Sequence, residues 1–331
     1  MVRKMNNLKN QVKIIGTGSY APLNIVTNED LSKIMDTSDE WIYSRTGIRE
    51  RKISVTENTS DLSTMAALKA LDNANIKAED IDLIIVGTCT PDNFIPSTAC
   101  LVQANIGAIN ATCFDISAAC TGFIYGLNIA TQFIKTGQSK VALVIGAETL
   151  SKIVNWEDRT TSVLFGDGAG AAILKISEDI GIISIYTGSD GTRGEVLKCE
   201  ANPLISPYTT DAGTHDKFVT MDGREIFKFA VKVIEKSIKE VLKNTGYSLQ
   251  DIKYIVPHQA NLRIIEYCSK KLKVDGDKFY INLDIYGNTS AASIPIAFDE
   301  LARKNLLIKG DKVIFVGFGG GLSWGAALII Y

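Results

Sequence analysis

Short continuous apolar runs recur along the chain, and each follows a segment with helical periodicity. The segment "ALKALDNANIKAEDIDLIIVGT", from Ala67, spaces apolar residues three and four apart and then passes through a polar turn into the run "DLIIVGT". "KVALVIGA", from Lys140, is a second such run. Spacings of three and four predict an amphipathic helix, and an uninterrupted apolar run predicts a strand covered on both faces of its sheet. The pattern therefore predicts an α/β protein.

The same order of helix, turn and strand returns 171 residues later. "IKEVLKNTGYSLQDIKYIVPHQ", from Ile238, aligns without a gap with the segment from Ala67, so that Leu71 matches Leu242. Three further pairs keep nearly this offset: "IGTGS" at Ile15 with "IYTGS" at Ile185, "KVALVIGAETLS" at Lys140 with "KVIFVGFGGGLS" at Lys312, and "FDI" ending at Ile116 with "LDI" ending at Ile285. Such an ordered repeat indicates a duplicated chain.

The duplication predicts two similar α/β halves, residues 1–178 and 179–331, packed as one unit. In such folds ligands bind where strand ends and helix N-termini converge. Four features lie just beyond a predicted strand: Cys120 after "FDI", His258 after "YIV", Asn288 after "LDI", and the glycines 319–321 after the strand from Lys312. We expect the packing of the halves to bring these features to one central cleft.

Composition excludes several classes of function. Hydrophobic residues make up 46% and charged residues 22% of the 331 positions, and the net charge of −2 gives no reason to expect nucleic acid or a membrane surface as a partner. The basic N-terminus lacks the apolar stretch and cleavage site of a signal peptide. The uncharged run from Val313 to Tyr331 contains "GFGGG", which predicts two buried strands and a glycine turn instead of a membrane span.

Cysteine and histidine usage argues against a metal centre. The six cysteines form no CxxC pair, which excludes a zinc knuckle or a dithiol redox motif, and two histidines cannot build a histidine-rich metal site. We expect reduced thiols in a cytoplasmic protein. His215, in the polar segment "DAGTHDKF", is predicted to lie on the surface.

Cys120 is the cysteine that the sequence singles out. Ala118, Ala119 and Gly122 surround it with small side chains, which permit a sharp strand-to-helix turn and the close approach of a ligand. A thiol at a helix N-terminus has a lowered pKa because the free N–H groups stabilise the thiolate. The sequence thus predicts a nucleophile, and the alternative is a small buried hydrophobe.

The other candidates each have a structural alternative. His258, in "IVPHQANLR", has polar neighbours beyond a buried strand, although a lone histidine there is often structural. Asn288, in "YGNTSAAS", precedes a helix start that matches "SAAC", although Gly-Asn alone would explain a turn. The glycines of "GFGGGLSWG" could direct backbone N–H groups at an oxyanion or form a tight buried turn.

Several long motifs together resemble the beta-ketoacyl-[acyl-carrier-protein] synthase III family of the thiolase superfamily. "SDEWIYSRTGIRER", "PSTAC", "DISAACTGF", "FGDGAGAA", "VPHQANLRI", "YGNTSAAS" and "FGGGLSWGAAL" follow the family's order over essentially the full length. The resemblance implies a thiolase-like duplicated five-layer α/β/α/β/α fold. It also implies the initiating condensation of type II fatty acid biosynthesis, in which an acyl-CoA primer condenses with malonyl-acyl carrier protein through an acyl-cysteine. The products are 3-oxoacyl-acyl carrier protein, CO2 and CoA.

The resemblance also implies partners and residue roles. We expect a cytoplasmic homodimer that needs no cofactor or metal, with Cys120, His258 and Asn288 as catalytic residues and the N–H groups of Cys120 and Gly320 as the oxyanion hole. His258 is expected to be neutral and to donate a hydrogen bond. The implied CoA site consists of Thr37, Trp41, Arg45, Arg159 and Asn261. The implied carrier-protein site consists of Gln259, Ala260, Asn261, Leu262, Arg263, Lys228, Lys270 and Lys271.

One segment departs from the family pattern at the implied acyl pocket, which consists of Phe94, Ile95 and Phe165. The best-known members have Phe directly before the Pro-Ser of this loop, whereas this chain has Ile95, with Phe94 one place earlier. The loop reaches across the dimer interface in the family. The substitution leaves acetyl and branched or longer primers open.

Other enzymes with a nucleophilic cysteine remain alternatives. A thiolase would need a second catalytic cysteine near the C-terminus, and "GFGGGLSWG" has none. Elongating synthases use two histidines, and a plant-type polyketide synthase shares the Cys-His-Asn set but takes malonate on CoA. A cysteine hydrolase also runs Cys, His, Asn along the chain. A non-catalytic scaffold would not require all three residues.

Overall fold

The computed structural model describes residues 11–210, 213 and 215–331. The strands are β1 (Gln11–Tyr20), β2 (Ile25–Thr27), β3 (Glu50–Lys52), β4 (Leu83–Gly87), β5 (Thr112–Ile116), β6 (Val141–Glu148), β7 (Gly168–Ser177), β8 (Ile182–Ser189), β9 (Leu197–Lys198), β10 (Thr220–Met221), β11 (Ile252–Pro257), β12 (Lys312–Gly319) and β13 (Ser323–Ile330). The helices are α1 (Asn28–Ser32), α2 (Asp39–Thr46), α3 (Thr59–Ala74), α4 (Thr98–Ile106), α5 (Gly122–Lys135), α6 (Gly223–Leu242), α7 (Leu262–Leu272), α8 (Leu283–Tyr286) and α9 (Ser293–Arg303).

Two sheets of the same design confirm the duplication. The first has the order β1-β7-β6-β4-β5, in which β4 pairs in parallel with β5 and β6, and β7 pairs antiparallel with β6 and β1. The second has the order β8-β13-β12-β11 with the matching directions. A parallel bridge from Ile255 to Phe279 lies where β5 lies in the first sheet. The apolar runs that predict β4 and β6 are buried over their whole lengths.

Helices separate and cover the two sheets. Helices α5 and α9 each contact strands of both sheets, so they form a central layer. Helices α3 and α4 pack on the first sheet, and α6, which also contacts α7, packs on the second. The predicted thiolase-like five-layer α/β/α/β/α fold is therefore confirmed. The first sheet uses residues 11–177 and the second 182–330, and the domain boundary at residues 178 and 179 stays a prediction.

Glycines bring the central helices close to the sheets. A Cβ at Gly87, the last residue of β4, would lie 2.7 Å from the carbonyl carbon of Gly122 at the start of α5. A Cβ at Gly146 in β6 would lie 2.1 Å from the carbonyl oxygen of Ala291. Real side chains do not tolerate such distances, so these glycines permit the turns before α5 and α9 to meet the strand ends.

One predicted strand is wrong. The residues "LDI" before Asn288 belong to the helical turn α8, in which the Gly287 N–H donates to the Leu283 carbonyl at 2.9 Å. Alternating apolar residues in "LDIY" satisfy a strand pattern and one helical turn equally, and a three-residue match cannot distinguish them. The equivalent of β5 is the bridge at Phe279, several residues earlier.

The uncharged C-terminal run forms the antiparallel pair β12 and β13, as predicted. In the parts of the chain described here, no helix is long and apolar enough to cross a membrane. Residues 1–10, which carry most of the basic N-terminal stretch, lie outside the described residues. The prediction that no signal peptide is present concerns that stretch.

Candidate active site

Two equivalent turns lie at the centre of the molecule. Cys120 lies in the 3-10 turn Ala119–Thr121 between β5 and α5, and Ser290–Ala292 forms the same turn before α9, 171 residues later. Each turn begins with a non-glycine residue at positive φ, +44° at Ala119 and +48° at Ser290. Such values are strained for an L residue and cluster at functional sites. The two turns also contact each other.

Cys120 is buried at the start of its helix. A Cβ at Gly319 would lie 2.9 Å from the Cys120 Cβ and 3.1 Å from its Sγ, so the end of β12 packs directly on the thiol. Burial raises the pKa of Cys120 to about 12, a hydrogen bond with Ser290 lowers it, and the charge of Glu148 raises it. The predicted lowering of this pKa is wrong, because desolvation outweighs the helix start. The thiol is protonated at neutral pH.

Ser290 connects the three predicted catalytic residues. Its hydroxyl donates to Oε1 of Glu148 at 3.0 Å and is close enough to the Cys120 thiol to lower the pKa of that thiol. Its N–H donates to Oδ1 of Asn288 at 2.9 Å. Its carbonyl oxygen accepts the backbone N–H of Ser293 and lies 2.9 Å from the Ser293 hydroxyl oxygen. Sequence reasoning missed this residue, because "SAAS" was interpreted only as a helix start.

Asn288 has a fixed amide orientation. The bond from Ser290 N–H holds its Oδ1, and that bond leaves Nδ2 as the donor of the side chain. Its backbone N–H donates to Leu164 at 2.8 Å, and its carbonyl accepts from Gly166 at 3.0 Å. The side chain is thus held as a hydrogen-bond donor, although it follows a helical turn and not a strand.

His258 lies at the end of β11, 3% exposed. Its backbone N–H donates to Val316 at 2.8 Å, its ring meets the Phe318 ring edge-on at 5.4 Å between centroids, and its Nδ1 lies 2.8 Å from the Ser293 hydroxyl. Burial lowers the pKa of His258 to about 3. The expectation of a neutral imidazole agrees with this environment. The other histidine, His215, is exposed as predicted.

Glu148, at the end of β6, is a fully buried carboxylate that sequence reasoning missed. It accepts hydrogen bonds from Thr88 Oγ1 (3.2 Å), Cys89 N (3.0 Å), Thr90 Oγ1 (2.6 Å) and Ser290 Oγ (3.0 Å). Burial nevertheless raises its pKa, because these bonds only partly replace water. The sequence does mark this residue, because Glu148 is a charged residue at the end of an apolar run. The equivalent position in the second half is Gly319.

The glycine loop after β12 lies beside the Cys120 turn. The Ser323 hydroxyl donates to the Gly320 carbonyl at 2.9 Å and lies 2.9 Å from the Thr121 hydroxyl. A Cβ at Gly320 would lie 3.5 Å from the Ala119 Cβ. This placement agrees with an oxyanion hole, which stays a prediction.

Two family models match the chain. "3-Oxoacyl-[acyl-carrier-protein (ACP)] synthase III" matches residues 114–191, and "3-Oxoacyl-[acyl-carrier-protein (ACP)] synthase III C terminal" matches residues 242–331. The beta-ketoacyl-[acyl-carrier-protein] synthase III of Clostridium kluyveri is 64% identical over 320 residues, which cover 97% of this chain and 99% of that protein. The chain belongs to the beta-ketoacyl-[acyl-carrier-protein] synthase III family.

Other comparisons agree with this family. The Clostridium novyi enzyme of the same name is 64% identical over 318 residues, which cover 96% of this chain and 98% of that one. The crystal structure of 3-oxoacyl-[acyl-carrier-protein] synthase III from Aquifex aeolicus has a TM-score of 0.91 and 48% identity, covering 97% of this chain and 100% of that chain. This chain is therefore a thiolase-like condensing acyltransferase of the kind that starts fatty acid synthesis.

Four of the five residues of the CoA site that the family resemblance implies lie together. The guanidinium carbons of Arg45 and Arg159 lie 4.5 and 5.1 Å from the centroid of the Trp41 ring. The Asn261 amide donates to the Arg45 carbonyl at 3.0 Å. The fifth residue, Thr37, has a buried hydroxyl without a hydrogen-bond partner in the described chain. The group combines an aromatic face with two cations, which suits an adenine nucleotide.

Gln259 does not belong to a carrier-protein surface. It is 1% exposed, and its amide donates to Pro257 and Tyr280 carbonyls and accepts from the Asn282 N–H. The prediction of Gln259 as a contact residue is therefore wrong. A polar side chain next to a histidine suggests a surface group, whereas that of Gln259 satisfies buried backbone groups around His258.

The other predicted carrier-protein residues lie on or near α6 and α7. Arg263 is exposed and donates to the Ser44 carbonyl, while Lys270 is exposed on the last turn of α7. Lys228 pairs with Glu225 at 2.8 Å, and Lys271 pairs with Glu235 at 2.7 Å. Ala260, Asn261 and Leu262 are partly exposed. These contacts leave the role in carrier binding as a prediction.

The predicted acyl-pocket residues are in different environments. Phe165 is buried, and its backbone bridges that of Asn288. Phe94 and Ile95 are 75% and 89% exposed. Side chains this exposed do not enclose a pocket within a single chain. Among the described residues, no group of three or more His, Cys, Asp or Glu side chains is arranged to hold a metal ion.

Proposed function

We propose that this enzyme condenses an acyl-CoA primer with malonyl-acyl carrier protein through an acyl-Cys120 intermediate. The observation that carries the proposal is the connection made by Ser290, which links Cys120, Asn288 and, through Ser293, His258. This chemistry needs a nucleophilic thiol and two neutral hydrogen-bond donors. Here the first half supplies the buried thiol and the second half supplies both donors.

In the first step the Cys120 sulfur attacks the thioester carbonyl of the acyl-CoA. The N–H groups of Cys120 and Gly320 hold the oxyanion of the tetrahedral intermediate. Collapse breaks the bond to the CoA sulfur, which carries away the proton that Cys120 loses. The raised pKa of the thiol suits this balance, because the proton moves between two sulfurs and no net charge is left in a buried site.

In the second step the malonyl thioester occupies the vacated cleft. The N–H groups of His258 and of the Asn288 amide donate to its carbonyl oxygen and stabilise the enolate that forms as CO2 leaves. The enolate carbon attacks the acyl carbonyl carbon on Cys120, the bond from that carbon to the cysteine sulfur breaks, and the departing thiolate takes up a proton from water. Removing one such donor typically costs about 10²- to 10³-fold in rate, so both donors are expected to matter.

The partners follow from the surfaces beside the site. Trp41, Arg45 and Arg159 are proposed to hold the nucleotide of CoA, with Thr37 and Asn261. The start of α7 at Ala260, Asn261, Leu262 and Arg263, with Lys228, Lys270 and Lys271, is proposed to bind an acidic carrier protein. The exposed Phe94 and Ile95 support a homodimer in which this loop closes the partner's acyl pocket at Phe165. We also propose that the enzyme is cytoplasmic and needs no cofactor.

The test is incubation with acetyl-CoA and malonyl-acyl carrier protein, with Cys120→Ala as the control. We expect CO2 release and 3-oxoacyl-acyl carrier protein from the unmodified enzyme and no acyl transfer from the variant. Absence of both products from the unmodified enzyme would refute the proposal, and simple hydrolysis of acetyl-CoA would favour a hydrolase. Equal turnover with malonyl-CoA would favour a polyketide-type synthase. Mass spectrometry of the acyl-enzyme across several acyl-CoAs identifies the primer.

A further inference from the structure

The Ser293 hydroxyl lies between a ring nitrogen and a carbonyl oxygen and has one hydrogen to give. Its oxygen lies 2.8 Å from Nδ1 of His258 and 2.9 Å from the carbonyl oxygen of Ser290. A carbonyl only accepts, whereas a neutral imidazole nitrogen either accepts or donates according to the tautomer. The direction of this one hydroxyl is therefore coupled to the position of the proton on the His258 ring.

We propose that Ser293 sets the tautomer of His258 by donating its hydroxyl hydrogen to Nδ1, which places the ring proton on Nε2. This inference rests on the proposed function, because the condensation step needs a donor at the ring nitrogen that the protein leaves free. In the described chain the side-chain hydrogen bond of His258 is made by Nδ1. With the opposite hydroxyl direction, Nε2 would offer a lone pair to the thioester oxygen and repel it.

The surroundings permit the hydroxyl to turn toward the ring. The Ser290 carbonyl also accepts the backbone N–H of Ser293, so it keeps a hydrogen bond when the hydroxyl turns away. The Gln259 N–H points at the Ser293 oxygen at 3.4 Å and supplies that oxygen with a donor. Burial keeps His258 neutral, so the ring carries a single proton whose location matters.

Comparison of the two halves shows that the histidine–serine pair occurs in the second half and not in the first. The positions 171 residues before His258 and Ser293 are Gly87 and Gly122, where the backbones of strand and helix touch without side chains. The second half replaces that glycine contact with a hydrogen-bonded histidine and serine. Ser293 is thus a positioning residue that acts through His258.

The direct test is nitrogen NMR of protein labelled with 15N-histidine. The chain has two histidines, so a His215→Gln variant assigns the spectrum. We expect His258 to carry its proton on Nε2 in the unmodified enzyme and a large part of the population to shift to Nδ1–H in Ser293→Ala. A proton on Nδ1 in the unmodified enzyme, or an unchanged spectrum in the variant, would overturn the inference.

Kinetics of the two half-reactions give a second readout. Ser293→Ala should leave the acetylation of Cys120 by acetyl-CoA within about twofold and lower condensation at least about tenfold, because only condensation uses the imidazole donor. Ser293→Thr keeps a hydroxyl and should restore part of the rate. Equal loss in both half-reactions would contradict the inference.

The matched control is Ser269→Ala, which removes another buried serine hydroxyl. Ser269 lies on α7, and its hydroxyl donates to the Val274 carbonyl at 3.0 Å. It should alter neither the NMR spectrum of His258 nor the ratio of the half-reactions. The NMR result does not depend on turnover. A failure of the proposed function would appear as no condensation by the unmodified enzyme, whereas a failure of this inference would appear in the tautomer or in the ratio of the half-reactions while the unmodified enzyme still condenses.

Discussion

Replacing Glu148 by Gln is expected to lower the pKa of the Cys120 thiol. Burial is the main cause of the raised pKa of Cys120, and the Glu148 carboxylate adds to it because a thiolate would form beside a negative charge. Glutamine has nearly the same shape and carries no charge. The substitution therefore removes the electrostatic contribution and leaves burial in place.

The magnitude follows from the short path between the two groups. The Ser290 hydroxyl donates to the Glu148 carboxylate at 3.0 Å and also interacts with the thiol, which places sulfur and carboxylate within about 6 Å of each other. At an effective dielectric constant of about 20, two charges at this distance interact by about 2.8 kcal/mol, or about two pKa units. The pKa of Cys120 should fall from about 12 toward about 10.

The assay is the rate of alkylation by iodoacetamide between pH 7 and 11, measured for the Cys120 peptide by mass spectrometry. The variant should react about a hundredfold faster at pH 8, because a pKa lower by about two units makes the thiolate fraction about a hundred times larger. Cys199, which is exposed, serves as an internal control whose rate should not change. An unchanged or higher pKa in a variant with a normal melting curve would refute the reasoning and show that Glu148 is already protonated.

Three further predictions concern the rest of the site. Gly319→Ala places a Cβ 2.9 Å from the Cβ of Cys120 and should slow its proposed acetylation by at least about tenfold, whereas Gly191→Ala, with open space around it, should not. Because burial holds the pKa of His258 at about 3, the unfolded chain binds the extra proton below pH 6.5. The unfolding free energy, and with it the melting temperature, should therefore fall less steeply from pH 6.5 to 4 in His258→Gln. The slopes of unfolding free energy against pH should differ by up to about 1.4 kcal/mol per pH unit between the two proteins. Lys270→Glu should raise the KM for malonyl-acyl carrier protein several-fold at low salt, and Lys135→Glu, at the far end of α5, should not. No change for Lys270→Glu would remove that residue from the docking surface.

The sequence contains most of the fold because the fold depends on periodicity. Short apolar runs such as that of β6 predict strands buried on both faces, and the repeat identifies the second sheet once the first is found. The small residues around Cys120 indicate a tight turn into α5, which the structure has. These features depend on neighbours in the chain, so a single sequence reveals them.

The chemistry of the site depends on distant neighbours, and there the sequence was a poorer guide. Cys120 has a raised pKa because strands and turns from both halves remove water from it, which no local pattern shows. Glu148 and Ser290 meet across 142 residues of chain. Gln259 looks like a surface residue in "PHQANLR" and is buried, because the backbone around it needs its amide.

The duplication explains how room for these side chains arises. Five side chains of the site lie opposite a Gly or Ala at the equivalent position of the other half, as an offset of 171 shows: Cys120 with Ala291, Ser290 with Ala119, His258 with Gly87, Ser293 with Gly122 and Glu148 with Gly319. Asn288 is the exception, because its equivalent is Ser117. Where the cavity is shared by two related turns, a bulky residue at both equivalents would overpack it. The distance of 3.1 Å from a Cβ at Gly319 to the Cys120 sulfur shows how little space remains. One half therefore carries the proposed nucleophile and its carboxylate neighbour, the other carries the proposed hydrogen-bond donors, and each half leaves space for the side chains of the other.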